Sequence, residues 1–195
     1  MTRRETSEAR LRLLTTATEI FYAEGIHAVG VDRIIAAAKI TRATFYRHFP
    51  GKEDLVLAYL SEVHGMDRAA VEAAVAAHPS PADALLAIAD TIAAGILSPR
   101  FRGCAFLNAA AEYPDPGHPV HQQVIAHRQW FLDTLQGLMA QVAHDSSGAA
   151  ARHYVMLRDG AMAAGCLFDP ALVVETFLRG IEGLVRIHRE REPQM

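Results

Sequence analysis

Cysteine is almost missing from this chain: among 195 residues only Cys104 and Cys166 occur. Two thiols so far apart make neither a disulfide framework nor the clustered ligand set of a zinc finger, and both are read as reduced. Long apolar runs are missing too. No stretch approaches the roughly 18 uninterrupted apolar residues of a membrane span. The start, Met1-Thr2-Arg3-Arg4-Glu5, has no apolar stretch behind it to act as a signal peptide. The expectation is a cytoplasmic protein with no membrane partner. No nucleophile elbow, phosphate loop or helical metal dyad is present either, so no catalytic residue, metal site or cofactor is predicted, and an enzyme is not expected.

What the chain does have is helix-forming sequence. Apolar residues make up 51% and charged residues 21%, with alanine frequent throughout, and no segment alternates as a strand would. The net charge of -3 argues at first against a nucleic-acid partner. It conceals an asymmetry. Residues 1–48 carry eight cations (Arg3, Arg4, Arg10, Arg12, Arg33, Lys39, Arg42 and Arg47) against five acids, while the remainder carries 11 against 17. A basic head on an acidic body suits a DNA-reading module joined to a larger helical domain, although a solvated basic face on an enzyme has the same look.

Apolar spacing and stop signals divide the chain into about nine helices, an all-α architecture. The first is expected over Thr6 to Glu24, where Leu11, Leu14, Ala17, Ile20 and Phe21 recur before Gly25. A short second helix fits Val31 to Ala38, and after Lys39-Ile40-Thr41 a third fits Arg42 to His48, with Thr41 as its N-cap and Phe45 and Phe49 on its buried side. A long helix opens at Lys52 and ends before His78-Pro79-Ser80-Pro81. Five more are expected at Ala82 to Leu97, Cys104 to Tyr113, His118 to His144, Ala149 to Leu167 and Ala171 to Arg189.

Three short helices on one small core, the last two joined by a tight turn, make a tri-helical, homeodomain-like helix-turn-helix. The run from Val31-Asp32-Arg33-Ile34 through Thr41-Arg42-Ala43-Thr44-Phe45-Tyr46-Arg47-His48-Phe49-Pro50-Gly51-Lys52-Glu53 resembles the N-terminal motif of the TetR family. The resemblance covers about residues 8 to 58 and implies a DNA-binding domain over 1–52 followed by a ligand-binding and dimerisation domain, a C-terminal helical bundle, over 53–195. Thr41, Arg42, Ala43 and Thr44 offer hydroxyls, a small apolar surface and one guanidinium to a major groove, with Arg42 the leading base reader. The resemblance places Tyr46, His48 and Lys52 at phosphates. Arg33, Lys39 and Arg47 belong to the same basic face, and Arg3 and Arg4 form an arm able to touch phosphates or a minor groove. Two positions depart from the family pattern. Gly30 lacks the hydroxyl that often caps the second helix, and Lys39 replaces the usual turn glycine. A positive φ at Lys39 would cost on the order of 1 kcal/mol.

A helix-turn-helix gains specificity when two copies are held about one DNA turn apart, roughly 34 to 36 Å, so a homodimer is expected. The resemblance implies that the last two helices form its interface. The apolar stripe Val173, Phe177, Ile181 and Leu184 and the small residues Gly180, Ala161, Ala164 and Gly165 are the candidates, with intramolecular core as the competing reading. The middle helices would enclose an effector pocket. Gly103-Cys104 followed by Asn108 and Glu112 is similar to a Gly-Cys-x-x-x-Asn-x-x-x-Glu pattern of one TetR subgroup. Asn108 and Glu112 share a helix face and suit either ligand orientation or capping of a neighbouring helix. Trp130, Phe131, Tyr154 and Met162 are candidate walls. Cys104 at a helix start suggests an electrophile switch or an inert buried thiol, and the pair His118 and His121 lacks a third metal ligand. Together these point to a repressor released from a palindromic operator by a small molecule. The alternatives are an activator, a cysteine-based electrophile sensor of the same family, or a helical small-molecule carrier or enzyme that does not bind DNA.

Overall fold

The computed structural model describes residues 3–142 and 146–189, with side chains from Glu8 onward. Among the described residues there are nine helices and no strand. They are α1 (Arg3–Glu24), α2 (Val31–Ala37), α3 (Arg42–His48), α4 (Lys52–Ala77), α5 (Pro81–Ile96), α6 (Ala105–Glu112), α7 (Pro119–Met139), α8 (Ser147–Ala164) and α9 (Pro170–Arg189). The side chains of Arg3 and Arg4 lie outside the described residues.

Packing groups the chain into two compact units. One comprises the N-terminal stretch to Gly65 together with Ala105–Ile125; the other comprises Met66–Cys104 with the chain from Ala126 onward. By packing, the N-terminal unit holds the first half of α4 and also takes in α6 and the start of α7.

In the N-terminal unit α1 buries Leu13, Leu14, Ala17, Ile20 and Phe21, one stripe at three- and four-residue spacing. Ile34 of α2, Phe45 of α3 and Tyr59 of α4 complete the core, with Phe21 and Tyr59 ring centroids 5.8 Å apart. Gly25 ends α1 at φ +89, and its N–H returns to the Phe21 carbonyl at 3.0 Å. That left-handed stop suits glycine, which has no Cβ to clash.

The turn between α2 and α3 closes in the same left-handed way. Lys39 has φ 52. Its N–H donates to Ala36 O and the Ile40 N–H donates to Ile35 O, both at 3.2 Å. This pair of bonds is a Schellman cap, which satisfies two carbonyls that the helix end leaves open. The positive φ considered for Lys39 is therefore present, in a residue that carries the Cβ penalty.

The second unit is built on α5, which packs against α8 and α9. Leu85, Ile88, Ile96, Leu135, Phe177 and Ile181 fill its centre. Tyr154, fully buried, donates its hydroxyl to the Leu85 carbonyl at 2.9 Å. Ser80 caps α5 by accepting the Asp83 N–H at 3.4 Å, with Pro81 in the first turn. Helix bounds shift by a few residues from the sequence expectation. The largest difference is α7, which ends at Met139, where the side chain of Gln141 bonds the Gly137 carbonyl at 3.1 Å; the expected end at His144 lies outside the described residues.

Candidate functional site

Helix α3 shows how seven residues can be both anchored and presented. The Thr41 hydroxyl accepts the Thr44 N–H at 3.1 Å, capping the helix as expected. Phe45 and Phe49 turn inward, their ring centroids 6.2 Å apart. Arg42, Ala43, Tyr46 and Arg47 are exposed, while Thr44 and His48 are half-buried. Burying two aromatic rings beneath so short a helix lets the outer face stay polar without losing its position.

The charged residues around it are arranged by exposed ion pairs. Arg42 pairs with Asp32 of α2, and Arg33 pairs with Glu24 of α1 at 3.0 Å. Such pairs contribute little stability, so either guanidinium can exchange its carboxylate for a base edge or phosphate at small cost. Gly30 precedes α2 with no side-chain cap, as its missing hydroxyl requires. Burial, followed by the positive fields of Arg47 and Arg10, holds the His48 imidazole below its ordinary value, and its Nε2 is buried without a hydrogen-bond partner. Lys52, half-buried at the start of α4, is lowered by burial while Glu112 opposes the shift.

Glu112 has a part that the residue pattern left open. Its carboxylate accepts the N–H of Ile26, at 2.8 Å, and that of His27, so it caps the entrance to the loop that leads into α2. The capping alternative describes it better than ligand orientation. Asn108 is exposed. His118 and His121 likewise have separate partners: His118 Nε2 lies 3.4 Å from Glu53, and His121 Nδ1 lies 2.7 Å from the Tyr113 carbonyl oxygen.

Within the second unit a cavity of about 160 Å³ opens among α4, α5, α7 and α8. Of the residues proposed as ligand contacts, Trp130, Phe131 and Met162 line it; Asn108, Glu112, Cys104 and Tyr154 do not. Three ionisable residues unforeseen from sequence line it as well: Asp67, His127 and Arg158. Arg158 and His127 are 8% and 6% exposed. Asp67 Oδ2 lies 3.8 Å from His127 Nε2. The Arg158 guanidinium sits 5.7 Å over the Phe131 ring and donates to Asp159 at 2.9 Å. Burial works against its charge, but Cys104 and Asp159 more than offset it and hold Arg158 firmly protonated. A register of 151, 154, 158 and 161 places Arg158 on the buried face of α8, and that spacing was the available signal. Cys104 is buried just before α6, and Cys166 is exposed.

The residues expected at a dimer interface are divided in this chain between core and surface. Ala161, Phe177, Ile181 and Leu184 are buried inside their own chain. Gly165 is pressed against it, since a Cβ there would stand 2.8 Å from Ile96 Cγ2, and a Cβ at Gly180 would meet Leu157 at 3.5 Å. Ala164 and Val173 are half-buried. The bulkiest stripe of α9 is consumed by the core that a single chain must build. A second stripe stays open: Met156, Gly160, Ala163 and Leu167 along α8 and its turn, and Phe168, Leu172 and Ile187 on the turn and α9.

These features describe an all-helical protein with a tri-helical helix-turn-helix head, and its relatives agree. The family described as bacterial regulatory proteins, tetR family, matches residues 13–59. The crystal structure of SCO4454, a TetR-family transcriptional regulator from Streptomyces coelicolor, shares 64% identity over 94% of this chain and 97% of that one, with a TM-score of 0.92. The HTH-type transcriptional regulator YjdC of Escherichia coli is 27% identical over 108 residues, 55% of this chain and 56% of the relative. The HTH-type transcriptional activator FasR of Mycolicibacterium smegmatis is 42% identical over 53 residues, 27% of this chain and 24% of the relative. The chain thus spans about half the length of the first curated relative and a quarter of the second. It belongs to the TetR family of DNA-binding transcriptional regulators.

Proposed function

We propose that this protein is a repressor that binds a palindromic operator as a homodimer and leaves it when a small molecule occupies the second unit. The observation that carries the reading is the two-sidedness of α3, with Phe45 buried beneath it and Thr41, Arg42, Ala43 and Arg47 exposed above. Arg42 reads a base edge in the major groove. Tyr46, His48, Lys39 and Lys52 position the helix on phosphates, as do Arg33, Arg47 and the N-terminal Arg3 and Arg4. The open stripe of Met156, Leu167, Phe168, Leu172 and Ile187 supports dimer formation, because large apolar side chains clustered on two successive helices gain stability when a second copy covers them.

Release needs an effector that prefers the conformation with badly spaced recognition helices. Helix α4 carries both Lys52 in its first turn and the cavity residues Asp67 and Val71, which makes it the element able to transmit occupancy. The match to FasR, named as an activator, spans 53 residues, 27% of this chain, too short a stretch to carry that protein's sign of regulation over. The test is duplex binding at several salt concentrations. Arg42→Ala should relax sequence discrimination, and Lys52→Ala should weaken all duplexes and lower the salt slope by about one. Equal loss on every duplex for Arg42→Ala contradicts its base-reading role.

A further inference from the structure

The second unit holds a buried positive charge beside an apolar cavity, and one of its donor atoms is left without a partner. Asp159 is shared: Arg158 donates to its Oδ1 at 2.9 Å, and Arg128 donates to both its oxygens. Two guanidiniums share that carboxylate, and Arg158 is also within reach of Cys104 and in the field of Asp67. The donor set is also incomplete, because the Arg158 Nε is buried and has no hydrogen-bond partner. Leaving a charged donor unsatisfied in a native interior is costly, and such groups point to an acceptor that the chain itself does not provide.

We infer, resting on the regulator reading above, that the effector is a small apolar carboxylate whose oxyanion pairs with Arg158. Depth decides the sign of the ligand. The Arg158 side chain is 9% exposed, whereas the other charged residue on the wall, Asp67, is 44% exposed and faces His127. Asp67 is half-buried, its carboxyl raised by burial while Arg158 opposes the shift, and it still lies nearer water than the cation, an order that suits an anion's head rather than an amine's. Trp130, Phe131, Met162 and Ile88 surround the rest with apolar surface. Size narrows the body of the ligand. A cavity of about 160 Å³ is close to the roughly 150 Å³ of an engineered apolar cavity that holds one benzene. One ring bearing a carboxylate matches both the volume and the charge, and a guanidinium can grip a carboxylate through two parallel bonds.

Trp130 is the only tryptophan of the chain and lies on the cavity wall, so its emission reports occupancy. The 195-residue chain is titrated with benzoate, benzylamine and toluene, which share a ring and differ in charge. Benzoate is expected to give a saturable change and to bind at least about tenfold more tightly than either other compound. Arg158→Met should remove that advantage and leave toluene binding in place, while Arg158→Lys should retain part of it. Should Arg158→Met lose its helical circular dichroism, the lysine variant and Asp67→Asn decide, the latter expected to match or strengthen benzoate binding. Tighter binding of benzylamine, benzoate binding indifferent to both Arg158 variants, or no Trp130 response to any of the three at millimolar concentration overturns the inference. Duplex binding by the unliganded protein is measured in parallel. A protein that binds DNA and ignores benzoate refutes the effector class alone, and one that binds benzoate but no duplex refutes the regulator reading and leaves the site.

Discussion

Removing the Glu112 carboxylate should loosen the helix-turn-helix head although the residue lies far from it in sequence. Glu112 accepts two backbone N–H groups, from Ile26 and His27, across 86 and 85 positions. Hydrogen bonds to a charged acceptor contribute about 1.5 to 3 kcal/mol each when buried. The Ile26 bond is partly buried and the His27 bond is exposed, so water replaces much of the second. A net loss of about 2 to 3 kcal/mol follows for Glu112→Ala. Glu112→Gln keeps one acceptor oxygen and turns an amide donor toward the other N–H, for about half that loss. At roughly 2 to 4 °C per kcal/mol for a chain of this size, the alanine variant should melt about 5 to 10 °C lower. Amide hydrogen exchange supplies the local readout, since Ile26 and His27 should lose protection before the core of α1 does. A change below about 0.5 kcal/mol with unaltered exchange at both amides would refute the capping role.

Three further outcomes are expected. Lys39→Gly should stabilise the protein by about 1 kcal/mol in urea unfolding by relieving the Cβ strain at φ 52, and if Lys39 touches phosphate it should also lower the salt slope of DNA binding by about one. Gly165→Ala should destabilise by about 1 to 3 kcal/mol, because its new methyl would meet Ile96 and Phe101 at 2.8 and 3.0 Å; unchanged unfolding would show that this contact yields freely. His48 contributes stability that is complete above its ordinary value of 6.5 and is lost as pH falls through its lowered native value, because the unfolded chain then binds the proton that the fold refuses. His48→Gln should therefore flatten the fall of urea stability below pH 6.5, and an equally steep fall in the variant would contradict that assignment.

The parts legible in the sequence are those set by neighbours along the chain. Helix α3 was read to the residue because a Thr cap, a Phe pair four apart and Pro50 all act within one or two turns. The strained turn at Lys39 was legible for the same reason. Glu112 was half-legible, since its face could be read but its partners, Ile26 and His27, stand more than 80 positions away. The same distance hid the grouping of Ala105–Ile125 with the N-terminal unit. On α8 and α9 periodicity marks two apolar stripes and does not say which one the chain keeps for itself. The bulkier set of Phe177, Ile181 and Leu184 is buried, and the set left exposed was passed over. Arg158 escaped notice because a lone arginine is normally read as surface, although its register with Ala151 and Tyr154 marks it as buried.

In the proposed function two copies of this chain place α3 in successive major grooves on one side of a duplex. Selection of bound duplexes from a random pool, followed by insertion of about half a helical turn, five base pairs, between the recovered half-sites, tests it directly. An inverted repeat occupied by two chains is expected, with binding largely abolished by that insertion and restored by a full turn of about ten base pairs. Recovery of a single half-site bound by one chain, or indifference to the spacing, contradicts it.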